Sequence, residues 1–117
     1  MKQPVTIYHN PRCSKSRQTL ALLEERGIEP RVIAYLDQPP DAQTLRSLLT
    51  ALQLDARGLM RRKEARYAEL GLDDAELSED ALINAITENP ILMERPVVVT
   101  PKGAAIGRPP ENVLDLL

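Results

Sequence analysis

The sequence predicts an α/β fold with a mixed four-stranded sheet flanked by helices. Three observations carry that expectation. The first forty residues read strand, helix, strand. The last twenty-odd hold two short β segments joined by Pro101-Lys102-Gly103, good chemistry for a hairpin turn. Between them lie helical patterns with no linker to isolate them. The expected organisation is therefore one domain over residues 1–117, with a helical insertion at about 41–89.

In the first strand, Val5 and Ile7 alternate with Thr6 and Tyr8, the pattern of a half-buried strand. Met1-Lys-Gln-Pro4 is read as a short lead into it, not a signal peptide. From Ser14 to Arg26, Leu20, Leu22 and Leu23 form an apolar helical face, and Gly27 suits the residue just past the helix end. Arg31–Leu36 reads as a second strand, parallel to the first through a right-handed crossover. Pro39-Pro40-Asp41 opens a helix with Leu45, Leu48, Leu49 and Leu52 on one face. Asp55 is expected to cap a short charged helix running through Leu59, Met60, Arg61 and Arg62. Tyr67, Leu70 and Leu72 continue the apolar signal. Ser78 is the expected N-cap of a helix with Leu82, Ile83 and Ile86, stopped by Asn89-Pro90. Pro96–Thr100 and Ala104–Ile106 form the hairpin. Pro109-Pro110 start a final helix that buries Val113, Leu114, Leu116 and Leu117.

Composition narrows function. The net charge of −2 gives little electrostatic support for nucleic-acid binding. No apolar run approaches the length of a membrane span. A single cysteine excludes an intrachain disulfide framework and suits the cytoplasm. Eleven of the fifteen cations are arginine, whose planar fork suits oxyanions.

That cysteine, Cys13, stands between the first strand and the first helix, among His9, Asn10, Arg12, Ser14, Lys15, Ser16 and Arg17. A strand-to-helix turn directs backbone N–H groups and the positive helix end at the loop, and a thiol there ionises to the reactive thiolate. The lining is poor for an apolar pocket and good for an anion. Ser16 occupies the second half of a Cys-x-x-Ser pattern, so no second thiol is placed to resolve an adduct on Cys13. The Cys-x5-Arg spacing of low-molecular-weight phosphatases is absent, because Thr19 stands six residues on. Arg17, four residues on, lies near Cys13 on a helix but equally suits a solvated or carboxylate-paired role. Arg95, before Pro96, and Arg108, before Pro109, flank the hairpin. Taken alone they read as surface residues, and Arg61 and Arg62 more so.

Together these segments resemble the glutaredoxin-linked arsenate reductases, the ArsC family. The resemblance rests on Ile7-Tyr-His-Asn-Pro-Arg-Cys13-Ser-Lys-Ser-Arg17, Tyr35-Leu36 with Pro39-Pro40, Leu59-Met60-Arg61, Tyr67 with Leu70-Gly71-Leu72, Asn89-Pro-Ile-Leu92, Arg95-Pro-Val-Val-Val-Thr-Pro101 and Arg108-Pro109. It implies a thioredoxin-like fold with an inserted helical region. It implies Cys13 as the nucleophile on arsenate, His9 as a modulator of its reactivity, and Arg61, Arg95 and Arg108 as holders of the oxyanion. Asn10, Ser14, Ser16, Arg17 and Pro96 would support them, with Arg95–Pro96 cis. It further implies glutathione as co-substrate, glutaredoxin as partner, and no bound cofactor or metal. The chain stops at Leu117 and carries Ser14-Lys15 where small residues are usual, which points to a shorter branch acting on arsenate or another small oxyanion. Two rivals share the scaffold: a glutathione-dependent thiol reductase or deglutathionylase, and an Spx-like polymerase-binding regulator. The latter senses oxidation through Cys-x-x-Cys, which is missing here.

Overall fold

A computed structural model describes residues 4–117; all of the proposed Met1–Pro4 lead except Pro4 lies outside the described residues. The chain forms two compact units. One combines the residues up to Gln38 with Arg95–Leu117, and the other is Pro39–Glu94.

The first unit is built on a four-stranded sheet of order β2-β1-β3-β4, with β1 Thr6–His9, β2 Arg31–Ala34, β3 Val97–Thr100 and β4 Gly103–Ile106. β1 runs parallel to β2 and antiparallel to β3, and β3–β4 is the expected hairpin. Helix α1, Ser14–Glu25, supplies the crossover from β1 to β2. It ends where the sequence indicates. Gly27 takes a left-handed φ of 76°, its N–H reaches the Glu24 carbonyl, and the Ile28 N–H reaches the Leu23 carbonyl. These are the two bonds that close a Schellman turn. Val5, Ile7, Leu23, Val98 and Val113 form the core cluster. Full burial of each such side chain contributes about 1.5–3 kcal/mol.

Three details of this unit depart from the sequence reading. β1 is not half-exposed: Ile7, Tyr8 and His9 are all buried, because the strand is interior to the sheet. β2 ends at Ala34 instead of Leu36, since the Ala34 carbonyl accepts the Asp37 and Gln38 N–H groups and turns the chain. The final helix is 3₁₀, Pro110–Leu116, and of its expected apolar set only Val113 is fully buried. Leu114, Leu116 and Leu117 are half-buried. With three residues per turn, Pro110, Val113 and Leu116 share one side, so the α-helical spacing does not apply.

The second unit contains α2 Ala42–Leu52, α3 Ala56–Leu59, α4 Ala65–Glu69, α5 Glu79–Glu88 and a 3₁₀ turn at Pro90–Leu92. The two expected caps, Asp55 and Ser78, form, and Asp41 supplies a third. Asp41 accepts the Thr44 N–H at 2.7 Å, Asp55 the Gly58 N–H at 2.8 Å, and Ser78 the Ala81 N–H at 3.1 Å. Leu45, Leu48, Leu49, Leu82, Ile83 and Ile86 are buried, as their spacing predicts, whereas Leu70 is exposed. Helix α3 is shorter than expected. After Leu59 the chain extends, Met60 bridges Met93, and the Arg61 N–H donates to the Leu92 carbonyl. Arg61 and Arg62 therefore lie beyond the helix, not on it. Among the described residues, no helix is long and apolar enough to cross a membrane.

Candidate active site

Strand register gathers the site at one end of the sheet. Tyr8 lies opposite Val97, and Val97 opposite Ile106. The carboxyl end of β1, the start of β3 and the end of β4 thus coincide. Cys13 follows the first of these, Arg95-Pro96 precedes the second, and Arg108 follows the third. Residues distant in sequence become neighbours through register alone.

Cys13 is the N-cap residue of α1, in an extended conformation with φ −95° and ψ 122°. Its N–H donates to the Asn10 carbonyl and its carbonyl accepts the Arg17 N–H, each at 3.0 Å. Cys13 is 8% exposed. Burial by itself pushes its pKa up. The Ser16 backbone N–H, the Arg95 charge, the Lys15 N–H and a hydrogen bond from Arg95 outweigh that effect and hold the thiol below its ordinary 9.0. Arg108 Nη1 lies 3.8 Å from Cys13 Sγ and also donates to the Arg95 carbonyl at 3.4 Å. Arg95 is half-buried, and its Nε is enclosed without a hydrogen-bond partner among the described residues. Arg95–Pro96 is cis, as expected, and so is Arg108–Pro109.

Two residues that the sequence reading passed over hold this corner together. The Gly107 N–H donates to the Pro96 carbonyl at 2.9 Å, and the Gly107 carbonyl faces Thr19 Oγ1 of α1 at 3.4 Å. A Cβ on Gly107 would fall 2.5 Å from Thr19 Oγ1 and 2.9 Å from Pro96 Cγ. Only glycine lets the end of β4 approach the helix and Pro96 this closely, one residue before Arg108. A glycine beside a candidate arginine was the available signal; Thr19, on a helix face, gave none.

A second cluster ties the loop to the helix. The Ser16 side chain, with no exposure, accepts the Asn10 N–H at 3.0 Å and lies 2.6 Å from His9 Nδ1. His9 is itself buried, and burial followed by the Arg17 charge lowers its pKa below 6.5. The Asn10 side-chain oxygen accepts the Arg12 N–H at 3.0 Å, which fixes the turn before Cys13. Arg17 settles neither on solvent alone nor on a carboxylate: its Nη1 donates to the Pro11 carbonyl at 2.8 Å. Ser14 is exposed in the first turn. The first unit therefore brings together Cys13, Arg95, Pro96 and Arg108, with His9, Asn10 and Ser16 as a buried network beside the same loop. Arg61 belongs to the second unit, where Nη1 pairs with Glu64 at 3.1 Å and Nε faces Glu94 at 3.9 Å.

Chemically, the first-unit cluster can hold a thiolate and draw an anion towards it. Helix N–H groups and guanidinium groups supply positive potential, and both neutralise charge that develops on an incoming oxyanion.

The ArsC family model matches residues 8–116. The chain is 59% identical over 118 residues to uncharacterized protein YfgD of Escherichia coli K12, covering all of this chain and 99% of that one. It is 54% identical to an arsenate reductase of Neisseria meningitidis, covering 97% of each. An arsenate reductase structure from Vibrio cholerae superposes with a TM-score of 0.98 at 52% identity, over the full length of both chains.

Proposed function

This chain belongs to the ArsC family, and on that premise we propose that it reduces arsenate to arsenite with electrons from glutathione and glutaredoxin. The observation that carries the reading is the buried Cys13 thiol, lowered in pKa, with Arg108 Nη1 at 3.8 Å and the Arg95 charge acting on it. Relatives of nearly the same length are named arsenate reductases.

In this reading the Cys13 thiolate attacks the arsenic atom, and an arsenate oxygen departs as water after protonation. The product is a thiol–arsenate adduct at As(V). Arg95 and Arg108 offset the repulsion between thiolate and oxyanion and neutralise the oxygens as the bond forms. Arg61 is the third oxyanion holder by the family resemblance. Glutathione then attacks the Cys13 sulfur. The sulfur–arsenic bond breaks, its electron pair stays on arsenic, and arsenite leaves as As(III). Cys13 is left in a mixed disulfide with glutathione. Glutaredoxin takes the glutathionyl group and restores the thiol. Two thiols are oxidised for each arsenic reduced by two electrons. With one cysteine in the chain, both must come from outside. A reducing compartment such as the cytoplasm would supply them.

The test is arsenate-dependent oxidation of glutathione with glutaredoxin present. Turnover in the wild-type protein and none in Cys13→Ser is the expected result. Absence of wild-type turnover, with activity on glutathione mixed disulfides instead, would transfer the site to the thiol-reductase reading.

A further inference from the structure

The Ser16 hydroxyl lies at the centre of an accounting that admits one arrangement of protons. Its oxygen accepts the Asn10 N–H at 3.0 Å and stands 2.6 Å from His9 Nδ1. A hydroxyl has one proton to donate, and His9 Nδ1 is the only acceptor it meets among the described residues. If Nδ1 carried a proton and donated it to Ser16, the hydroxyl proton would be left without an acceptor at a fully buried position. An unmet buried donor costs about 1–3 kcal/mol. The hydroxyl therefore donates to Nδ1, and the imidazole proton resides on Nε2.

We propose that Ser16 is a positioning residue that fixes His9 as the neutral Nε2–H tautomer, making it a hydrogen-bond donor and not a base at Nε2. Nε2 has no hydrogen-bond partner among the described residues, which leaves its N–H for a bound group. Burial and the Arg17 guanidinium, which donates to the Pro11 carbonyl beside this loop, both disfavour a charged imidazole. The same hydroxyl anchors Asn10, whose carbonyl receives the Cys13 N–H, so one side chain sets both the ring and the loop that carries the thiol. The tautomer does not depend on what Cys13 reacts with. Only its use as a donor to bound arsenate rests on the proposed activity.

The chain contains a single histidine, so long-range proton–nitrogen correlation spectra of the ¹⁵N-labelled protein report one imidazole without assignment. At pH 7 the wild-type protein is expected to show an unprotonated Nδ1 and a protonated Nε2. A protonated Nδ1, or an imidazolium with both nitrogens protonated, would overturn the proposal. Ser16→Ala is expected to lose the single tautomer, and Ser16→Thr, which keeps the hydroxyl, to retain it. An unchanged tautomer in Ser16→Ala would also overturn it. Should the alanine variant fail to fold, the wild-type spectrum and Ser16→Thr still decide. Failure of arsenate turnover would leave these spectra unaffected, so the two readings fail separately.

Discussion

Arg95 and Arg108 in the first unit and Arg61 in the second share a side chain but not an electrostatic setting. Arg95 acts on the Cys13 thiol and has an enclosed Nε with no partner among the described residues, while Arg108 reaches the sulfur itself. Arg61 is held by Glu64, three residues on, and faces Glu94. Both of those carboxylates are about a quarter exposed, and pairs of this kind contribute only about 0–1 kcal/mol to stability. They do, however, neutralise a guanidinium locally. Residue type alone therefore does not fix an arginine's surroundings: Arg95 and Arg108 face the thiol, and Arg61 faces carboxylates.

The largest expected effect tests whether the first-unit site is the chemical centre. Cys13→Ser should lower arsenate turnover by about 10³-fold or more, since no other thiol is present. Next come the arginines. Arg95→Ala and Arg108→Ala should each lower kcat/KM by at least about tenfold, or about 1.4 kcal/mol. Arg95→Ala should also raise the pH midpoint for Cys13 alkylation, and Arg61→Ala should leave that midpoint in place. An equal rise in Arg61→Ala would break the comparison.

The remaining effects concern the frames that hold the two units. Gly107→Ala should destabilise the protein by about 1–3 kcal/mol in urea unfolding, because the new methyl meets Thr19 and Pro96. In the second unit, Ser78→Ala should cost about 1 kcal/mol through loss of the Ala81 cap bond. The smallest effect is the pH response of the Asp41 cap. Hydrogen bonds from the Thr44 backbone and side chain hold this carboxyl below its ordinary 3.8. The unfolded chain thus binds the proton more readily, and the stabilisation present above 3.8 is lost as pH falls through the folded pKa. Asp41→Asn, which keeps a capping oxygen without the titration, should flatten that part of an acid-unfolding profile.

How much was legible in the sequence differs between elements for physical reasons. Helix α5 was readable because its leucine and isoleucine spacing, a capping side chain and a stop signal agree at both ends, and α2 because its leucine spacing follows the Pro39-Pro40-Asp41 opening. The hairpin was readable from its turn. The 3₁₀ end, Pro110–Leu116, was not, since its leucines fit an α pattern and only packing selects the tighter turn. Met60 and Arg61 left their helix because Met93, over thirty residues away, pairs with Met60. At the site, Cys13 was legible from its place before a helix. The grouping of Arg95 and Arg108 came from family resemblance, and strand register gives the physical cause. The roles of Gly107 and Thr19 needed coordinates, as a close approach leaves no periodic trace.

The central claim is that Cys13 is an activated thiolate, and the rate of its alkylation as a function of pH tests it most directly. One cysteine makes the reading unambiguous. The rate is expected to reach half its plateau clearly below pH 9.0, the ordinary value for the thiol, and to shift upward in Arg95→Ala. A midpoint at or above 9.0, insensitive to Arg95, would contradict the account.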